Sequence, residues 1–591
     1  MKKNSFLLKW AEAKSVVEKV KEAINKLPFN NLVGKIPALA KFSGYANYAA
    51  CALAVILVVA VAKPSSSGGS GSSFGSTVKV TSQDIIEKVS KLKKESTIQV
   101  QGFIDCETLR WAVESSPFLI DLDLSKTQGL SKIEVSTFKK CQQLAAITLP
   151  ASLKEIDSFA FLSCPNFTTL RFAGTLSQWC SINESDVKHY WNEWRDKDQP
   201  IEIYVDGKRI KGNLEIPKGT TYINSYAFAN CPEITSVKFP EDIAIDGYAF
   251  YGCTGLHSVE LPTGATIKRE GPAFKKSGIT KVTIAADAKE IPQEAFEDCS
   301  EISVTVTPGK TGVISFKAKN EAFKSAVIEK GITEIGEYTF YGCKNLDSIK
   351  IPDSVTLIGK SAFSHSGIQS VELPKNLTAI GKNAFTNSKL TSINISEGVT
   401  IIDEGAFYEC KDLESVTLPT TLTAIKKSAF ENCEKLVSVE IPDGVTEIGR
   451  NAFQKCTNLV SIKIPGSVEE TGEAICSDCT ALTSISFGDG IKNISQRAFR
   501  SCSALESVTL PKGLERVSAE SFQFCSKLSS VTIPKTVKEI EGYAFSETSL
   551  SSAVFEEQSL WDYYKQETMF GIDPAVDAEN LETLHFKMKK L

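Results

Sequence analysis

The sequence is poor in histidine, and this scarcity excludes most metal chemistry. Only four of its 591 residues are histidine, and none of the four adjoins a group of cysteines. Zinc sites in proteins are built from clustered cysteine and histidine ligands. We therefore expect no metal site and no cofactor.

The short motifs of common enzymes are missing as well. The chain contains no G-x-S-x-G, no H-E-x-x-H and no Walker loop. His257 and His365 fall at different positions of the repeat described below, so they form no catalytic set. The sequence thus predicts a protein that is not an enzyme.

An excess of positive charge is also lacking. The net charge is −5, and residues 1–44 carry +6 from nine lysines and three glutamates, which leaves −11 for the remainder. Proteins that bind nucleic acid do so largely through basic surfaces that neutralise phosphates. An acidic body therefore argues against a nucleic-acid partner.

What the chain has in abundance is a repeat of about 23 residues. Consecutive copies begin ITEIGEYTFYGC, TLIGKSAFSHSG and TAIGKNAFTNSK, and each has a landmark aromatic after a small residue. Ile475 is predicted to fill the one gap in this series. Repetition at this period predicts a solenoid. The landmarks of the regular series are Phe340, Phe363, Phe385, Phe407, Phe430, Phe453, Phe499, Phe522 and Phe545.

Each repeat contains the elements of one coil. Leu346, Ile349 and Ile351 have the alternation of a short strand with one buried face, and Pro352 ends that strand. A unit this small cannot bury its own apolar residues, so neighbouring coils must stack. We expect the strands of successive coils to pair into a long, narrow parallel sheet.

The pattern resembles the BspA-like branch of the leucine-rich repeats, found in surface antigens and adhesins of bacteria and some protists. The likeness covers most of the chain beyond residue 75. It implies a leucine-rich-repeat solenoid with an N-terminal and a C-terminal cap. It also implies binding of protein or glycan ligands and adhesion to host matrix proteins.

Twelve of the sixteen cysteines lie three or four residues after a landmark. Equivalent positions in a stack are roughly 5 Å apart, within nominal reach of a disulfide. Equivalent side chains point the same way, however, so the pattern favours a ladder of buried free thiols. Disulfides remain the alternative, and Cys476 with Cys479 leaves open a redox or zinc role.

The N-terminal region predicts attachment to a membrane. Residues 1–44 form a cytoplasmic segment whose amphipathic helix, over 5–27, lies on lipid head groups or docks to a partner. Residues 45–62 are predicted as one transmembrane helix, with a cleaved signal peptide as the alternative. Lysines before this span place the N-terminus in the cytoplasm and the repeats outside, extracellular or periplasmic.

The remaining boundaries follow from composition and from the repeat. Residues 63–76 are a Ser/Gly linker, 77–135 an α/β N-terminal cap, 136–548 the solenoid and 549–591 a C-terminal cap. The cap contains helices predicted over 82–96 and 106–116. Within the solenoid, 173–213 is an insertion, and the interval of 44 residues from Phe296 to Phe340 predicts one degenerate coil.

Candidate binding residues lie where the strands face outward. The residue between the two inward apolar positions varies from coil to coil and adjoins a line of serines. This face is either a docking surface or merely a solubilised one, and the insertion's tryptophans either bind ligand or close a local core. The candidates are Lys238, Glu260, Lys350, Glu372, Asn394, Glu440, Lys463, Trp191 and Trp194.

These inferences predict a membrane-anchored repeat protein that binds protein or glycan ligands outside the cytoplasm. A structural spacer in the cell envelope is the alternative. A cytosolic scaffold would require residues 45–62 to form a buried helix.

Overall fold

Short parallel strands repeat along the chain and wind it into a solenoid. The computed structural model describes residues 77–184, 201–550 and 552–556, apart from residues 136, 140, 158–159, 162–163, 270 and 300. The predicted segments 1–44, 45–62 and 63–76, and most of 549–591, lie outside the described residues. The division of the chain into those segments therefore stays a prediction.

The segment predicted as the N-terminal cap alternates strands and helices. It contains helix α1 (Ile85–Ser90) and helix α2 (Cys106–Glu114), which begins after Asp105, whose side chain accepts from the Thr108 N–H at 2.7 Å. Helix α1 is shorter than predicted because only Ile85 and Val89 are buried, and a short helix needs such packing to persist. The strands are β1 (Val78–Val80), β2 (Ser96–Phe103) and β3 (Leu119–Gln128).

The S-V-x-I part of each repeat forms the long strands, which pair with the coils on either side. All these pairs are parallel except β9 with β10. The first sheet continues from β3 with β5 (Ala146–Leu149), β7 (Thr169–Phe172), β9 (Glu202–Val205) and β10 (Lys208–Arg209). The second contains β11 (Gly212–Glu215), β13 (Ile234–Lys238), β15 (Ser258–Leu261), β17 (Lys281–Ala285), β18 (Ile302–Thr307), β20 (Phe323–Ile328) and β22 (Ser348–Lys350). Two more contain β25 (Ser392–Asn394), β27 (Ser415–Thr417), β29 (Ser438–Val439), β31 (Ser461–Ile464) and β32 (Ser484–Phe487), then β34 (Ser507–Thr509), β36 (Ser530–Ile533) and β38 (Ser552–Phe555).

A second, narrower series of sheets comes from two-residue strands after the proline turn. In most of these strands the second residue is buried and the first is exposed or half-buried, so the strands close the second side of the core. They are β4 (Lys132–Ile133), β6 (Glu155–Ile156), β8 (Asn183–Glu184), β12 (Tyr222–Ile223), β14 (Ala244–Ile245), β16 (Thr266–Ile267), β19 (Val313–Ile314), β21 (Glu334–Ile335), β23 (Leu357–Ile358), β24 (Ala379–Ile380), β26 (Ile401–Ile402), β28 (Ala424–Ile425), β30 (Glu447–Ile448), β33 (Asn493–Ile494), β35 (Arg516–Val517) and β37 (Glu539–Ile540).

The landmark phenylalanines form the centre of the core, as the repeat predicts. Their rings stack from coil to coil with centroids 5.0–5.6 Å apart, and none is more than 1% exposed. Aromatic pairs at this separation add to the stability that burial alone provides. The ring column therefore ties each coil to the next.

The turn around each landmark donates backbone hydrogen bonds to the following coil. Around Phe340, three N–H groups donate to carbonyls of the following coil at 2.8–2.9 Å: those of residues 338, 340 and 342. In most coils the residues two before and two after the landmark have left-handed backbones, such as Tyr338 (φ 59) and Gly342 (φ 70). This alternation aims every second N–H of these turns at the next coil, where backbone carbonyls accept the hydrogen bonds.

The structure corrects one landmark. The N–H of Cys476 donates to the Ala498 carbonyl at 2.7 Å, the bond that a landmark phenylalanine makes in other coils. The prediction that Ile475 is the landmark is therefore wrong, because Ile475 takes the place of the small residue before it. Phe487 contacts the edge of the Phe499 ring at 5.7 Å and supplies aromatic volume beside the missing ring.

The degenerate coil between Phe296 and Phe340 is confirmed. Ala318 takes the landmark position, since its N–H donates to the Thr339 carbonyl at 2.8 Å. Phe323, the first residue of β20, is fully buried and its ring lies 5.9 Å from the Phe296 ring. Its ring therefore replaces part of the volume that the missing landmark leaves.

Candidate binding surface

The outward residues of the long strands form an exposed row, which we call the outer row. Lys238 aligns with Glu260 across neighbouring strands, and Asn394 aligns with Thr417. All seven predicted strand residues are exposed: Lys238, Glu260, Lys350, Glu372, Asn394, Glu440 and Lys463. The alternation that predicted their outward direction is correct, although residues 366–374, which include Glu372, form no strand.

Two of the seven predicted strand residues have ion-pair partners. Lys238 Nζ lies 3.1 Å from Glu215 Oε1, and Lys463 Nζ lies 2.9 Å from Asp443 Oδ1. The partner of Lys463 is thus a turn residue, not the neighbouring Glu440. Such exposed pairs contribute little to stability, so these charges remain accessible to a partner.

The predicted line of serines lies beside the outer row. Ser392, Ser415, Ser438, Ser461 and Ser484 occupy equivalent positions in successive strands, and all five are exposed. Because serine side chains are short, this line forms a strip without protruding side chains beside the varied residues. The larger side chains on either side of this strip therefore carry any specificity.

Three exposed valines on this face were not identified from the sequence. Val327 is 41% exposed and lies in the outer row between Thr305 and Lys350, to which it is aligned. Val437 and Val460, 48% and 43% exposed, precede the serines of two adjacent coils. Their positions vary in the repeat, so no periodic signal marked them. Apolar side chains beside Glu440 and Lys463 provide contact area that a purely charged strip lacks.

The first sheet carries a polar cluster that also escaped prediction. Arg171 Nη1 lies 3.0 Å from Asp121 Oδ1, and the aligned Tyr204 donates its hydroxyl to Glu202 at 2.9 Å. Burial, followed by this hydrogen bond, raises the pKa of Tyr204. Tyr204 belongs to the insertion, where the repeat count fails. Its E-I-Y-V alternation was the available signal.

The tryptophans of the insertion divide into two groups. Trp191 and Trp194 lie outside the described residues, so their predicted ligand contact stays a prediction. Trp179, in helix α3 (Leu176–Cys180), is 3% exposed and donates its Nε1–H to the Ala227 carbonyl at 3.0 Å. Trp179 is therefore a core residue that joins the two sides of the insertion.

The cysteines form the predicted ladder of thiols. The fifteen described cysteines are all free, and ten of them donate to a landmark carbonyl of the preceding coil at 2.6–3.3 Å. Burial raises the pKa of Cys410 to about 11 and that of Cys343 to about 12. Thiols this reluctant to ionise are poor nucleophiles, so the ladder is structural. Cys476 and Cys479 are both buried within it.

Membrane spans and metal sites are absent from the part of the chain that the structure describes. No helix there is long and apolar enough to cross a bilayer, and no group of three or more potential metal ligands is found. The predicted span over 45–62 lies outside the residues searched.

Comparisons with known proteins agree with this architecture. The BspA type leucine-rich repeat region matches residues 115–183, 208–303 and 310–551 in overlapping segments. No curated protein matches the chain.

Solved structures with related repeats include three bacterial proteins. A leucine-rich repeat protein from Bacteroides ovatus is 23% identical over 71% of this chain and 88% of its own, with a TM-score of 0.38. A leucine-rich cell surface protein from Faecalibacterium prausnitzii is 26% identical over 61% and 91%, with a TM-score of 0.30. The pneumococcal vaccine antigen PcpA is 16% identical over 60% and 86%, with a TM-score of 0.29.

Proposed function

This chain belongs to the BspA type leucine-rich repeat family, and from that premise we propose that it is a surface protein that binds other proteins through its outer row. The observation that carries the proposal is that two exposed valines, Val437 and Val460, stand at equivalent positions of two adjacent coils, three residues before Glu440 and Lys463. An apolar centre flanked by charges is the usual composition of a protein-binding patch.

The extent of the face suits an extended partner. The outer row continues over many coils, and most of its charges have no tight partner that a ligand would have to displace. Lys350, Glu372 and Glu440 make no ion pair with any residue that the structure describes. Complementary charge on a partner speeds association and selects against wrong partners. Adhesion to matrix proteins is the specific form that the family resemblance suggests.

Charge reversal on the outer row, compared with the same change on the landmark turns, tests this proposal. We expect Lys350→Glu with Lys463→Glu to weaken capture by immobilised matrix proteins by about tenfold or more. The matched control, Lys360→Glu with Lys427→Glu, changes the net charge equally on the landmark turns and should leave capture unchanged. Equal capture by both variants would reject the outer row as the binding face. No capture of any protein would favour the envelope spacer.

We also propose that residues 45–62 anchor the protein with its repeats outside the cytoplasm. The charge asymmetry across this apolar run supports the orientation. Protease treatment of intact cells should then cleave the repeats, while repeats protected until lysis would place them in the cytoplasm. In a cell with two membranes, digestion before and after permeabilising the outer one distinguishes surface from periplasm.

A further inference from the structure

The coil that has Cys476 in place of an aromatic landmark carries a notch on its outer side. At the position two before the landmark, successive coils have Asn451, Ala474 and Arg497, and at the position one after it they have Gln454, Ser477 and Arg500. Two short side chains thus lie between rows of long ones. The resulting cavity measures about 280 Å³.

The side chains that line the notch include equal numbers of positively and negatively charged groups. Arg497 makes two hydrogen bonds of 3.0 Å to the Glu520 carboxylate, and Arg500 Nε lies 3.6 Å from the same carboxylate. Arg450 has only a 3.5 Å contact with Glu473, so it retains free donors. Together with Asp478, the lining contains three arginines and three carboxylates. The site therefore has no net charge with which to attract an ion.

One arginine of the notch packs on an exposed aromatic ring, Phe524, which does not itself line the cavity. The Arg500 guanidinium lies 5.0 Å from the centroid of Phe524, which is 40% exposed. Phe524 has a left-handed backbone (φ 63) at a position where Gly252 and Gly342 occur in other coils. The contact with this ring holds the Arg500 side chain in its place on the wall of the notch.

We propose that this notch binds a neutral sugar residue at the end of a glycan. Sugar hydroxyls both donate and accept hydrogen bonds, which suits walls that alternate guanidinium, carboxylate and the amides of Asn451 and Gln454. The cavity has room for one such unit, and the Phe524 ring keeps the Arg500 guanidinium in place on the cavity wall. The site lies on the landmark turns, so it is independent of the outer row.

The test fills the notch with residues that the protein already uses. In the full chain, Ala474→Asn with Ser477→Gln copies Asn451 and Gln454 from the preceding coil, and asparagine tolerates the left-handed backbone of position 474 (φ 52). The matched control, Ser428→Asn with Glu431→Gln, makes the equivalent change two coils earlier. Phe524→Asn removes the ring alone.

Saturation-transfer NMR with the methyl glycosides of glucose, galactose, mannose and N-acetylglucosamine provides the readout, and methyl glucuronide serves as the charged comparison. We expect at least one neutral glycoside to bind, about tenfold more weakly to the filled variant, more weakly to Phe524→Asn, and unchanged to the control. Absence of neutral binding, binding of the glucuronide alone, or undiminished binding to the filled variant would each overturn the proposal. Circular dichroism confirms that every variant is folded.

Discussion

The backbone N–H of Phe453 donates to the carbonyl oxygen of Ile475, 2.8 Å away, and this bond puts Cys476 in line with Phe453. In regular coils the same bond joins a landmark phenylalanine to the alanine before the next landmark. With Cys476 as the landmark, spacings of 22 and 24 become two spacings of 23. The coil whose landmark is Cys476 is thus also the coil whose outer side is notched.

The landmark column should dominate the stability of the array. Phe407 is fully buried and stacks on Phe385 and Phe430 at 5.5 and 5.2 Å. We expect Phe407→Ala to lower the free energy of unfolding by about 3–5 kcal/mol, measured by urea denaturation. Ile401→Ala, at a 43% exposed position in the same coil, should change it by about 0.5 kcal/mol or less. Equal effects would contradict the role of the column.

The thiol ladder should make the protein sensitive to alkali. Burial raises the pKa of Cys410 from 9.0 to about 11, so the folded state favours the protonated thiol. Its contribution to stability is complete below pH 9 and is lost as the pH rises towards 11. Cys410→Ser removes this titration, and serine occurs at the equivalent positions 366 and 388.

Urea midpoints at about pH 8 and about pH 11 provide the measurement for that thiol. The unaltered protein should lose more stability between the two than Cys410→Ser does. Lysines and tyrosines titrate in the same range, but they are common to both proteins. Parallel losses would show that Cys410 does not contribute.

At the left-handed turn positions, the effect of a substitution on stability should depend on the backbone preference of the new residue alone. Lys455 has φ 58, is exposed, and lies two residues after the Phe453 landmark. We expect Lys455→Gly to raise stability by up to about 1 kcal/mol, and Lys455→Val to lower it by about 1–2 kcal/mol, because a side chain strains this conformation. Thermal unfolding curves distinguish the two, and the reverse order would contradict the assigned geometry.

Trp179 should couple the coils on the two sides of the insertion. Its Nε1–H donates to the buried Ala227 carbonyl, 48 residues further along the chain. We expect Trp179→Phe to cost about 1–3 kcal/mol, because this carbonyl loses its indole partner. Limited proteolysis should then cleave first near residues 180–225. Trp111→Phe, at a 56% exposed position, is the control and should leave the cleavage pattern unaltered.

Much of the fold was accessible from the sequence because one pattern recurs in every coil. The direction of each outer-row residue, the buried landmarks and the thiol ladder all follow from a strand period of two and a coil period near 23. The misplaced landmark at Ile475 also had a sequence signal. Cys479 lies four residues after Ile475 but three after Cys476, which is the spacing of the other coils.

The parts that escaped prediction depend on contacts between non-equivalent positions. Val437 and Val460 lie at an exposed position whose residue type differs from coil to coil. The repeat pattern therefore did not identify them. The Lys463–Asp443 pair joins a strand to a turn of the preceding coil, which alignment of like positions cannot show. The notch arises from two short residues among long neighbours, a property of four coils together rather than of one.

The backbone hydrogen bonds between landmark turns run from each coil to the following one. This direction limits which insertions and deletions the fold can accept. Every coil presents the same carbonyls to its predecessor and the same N–H groups to its successor. Removing or duplicating one complete coil therefore rejoins matching partners, whereas a cut of any other size breaks the register. Related chains should accordingly differ by whole coils, and gene variants shortened by one coil should still fold.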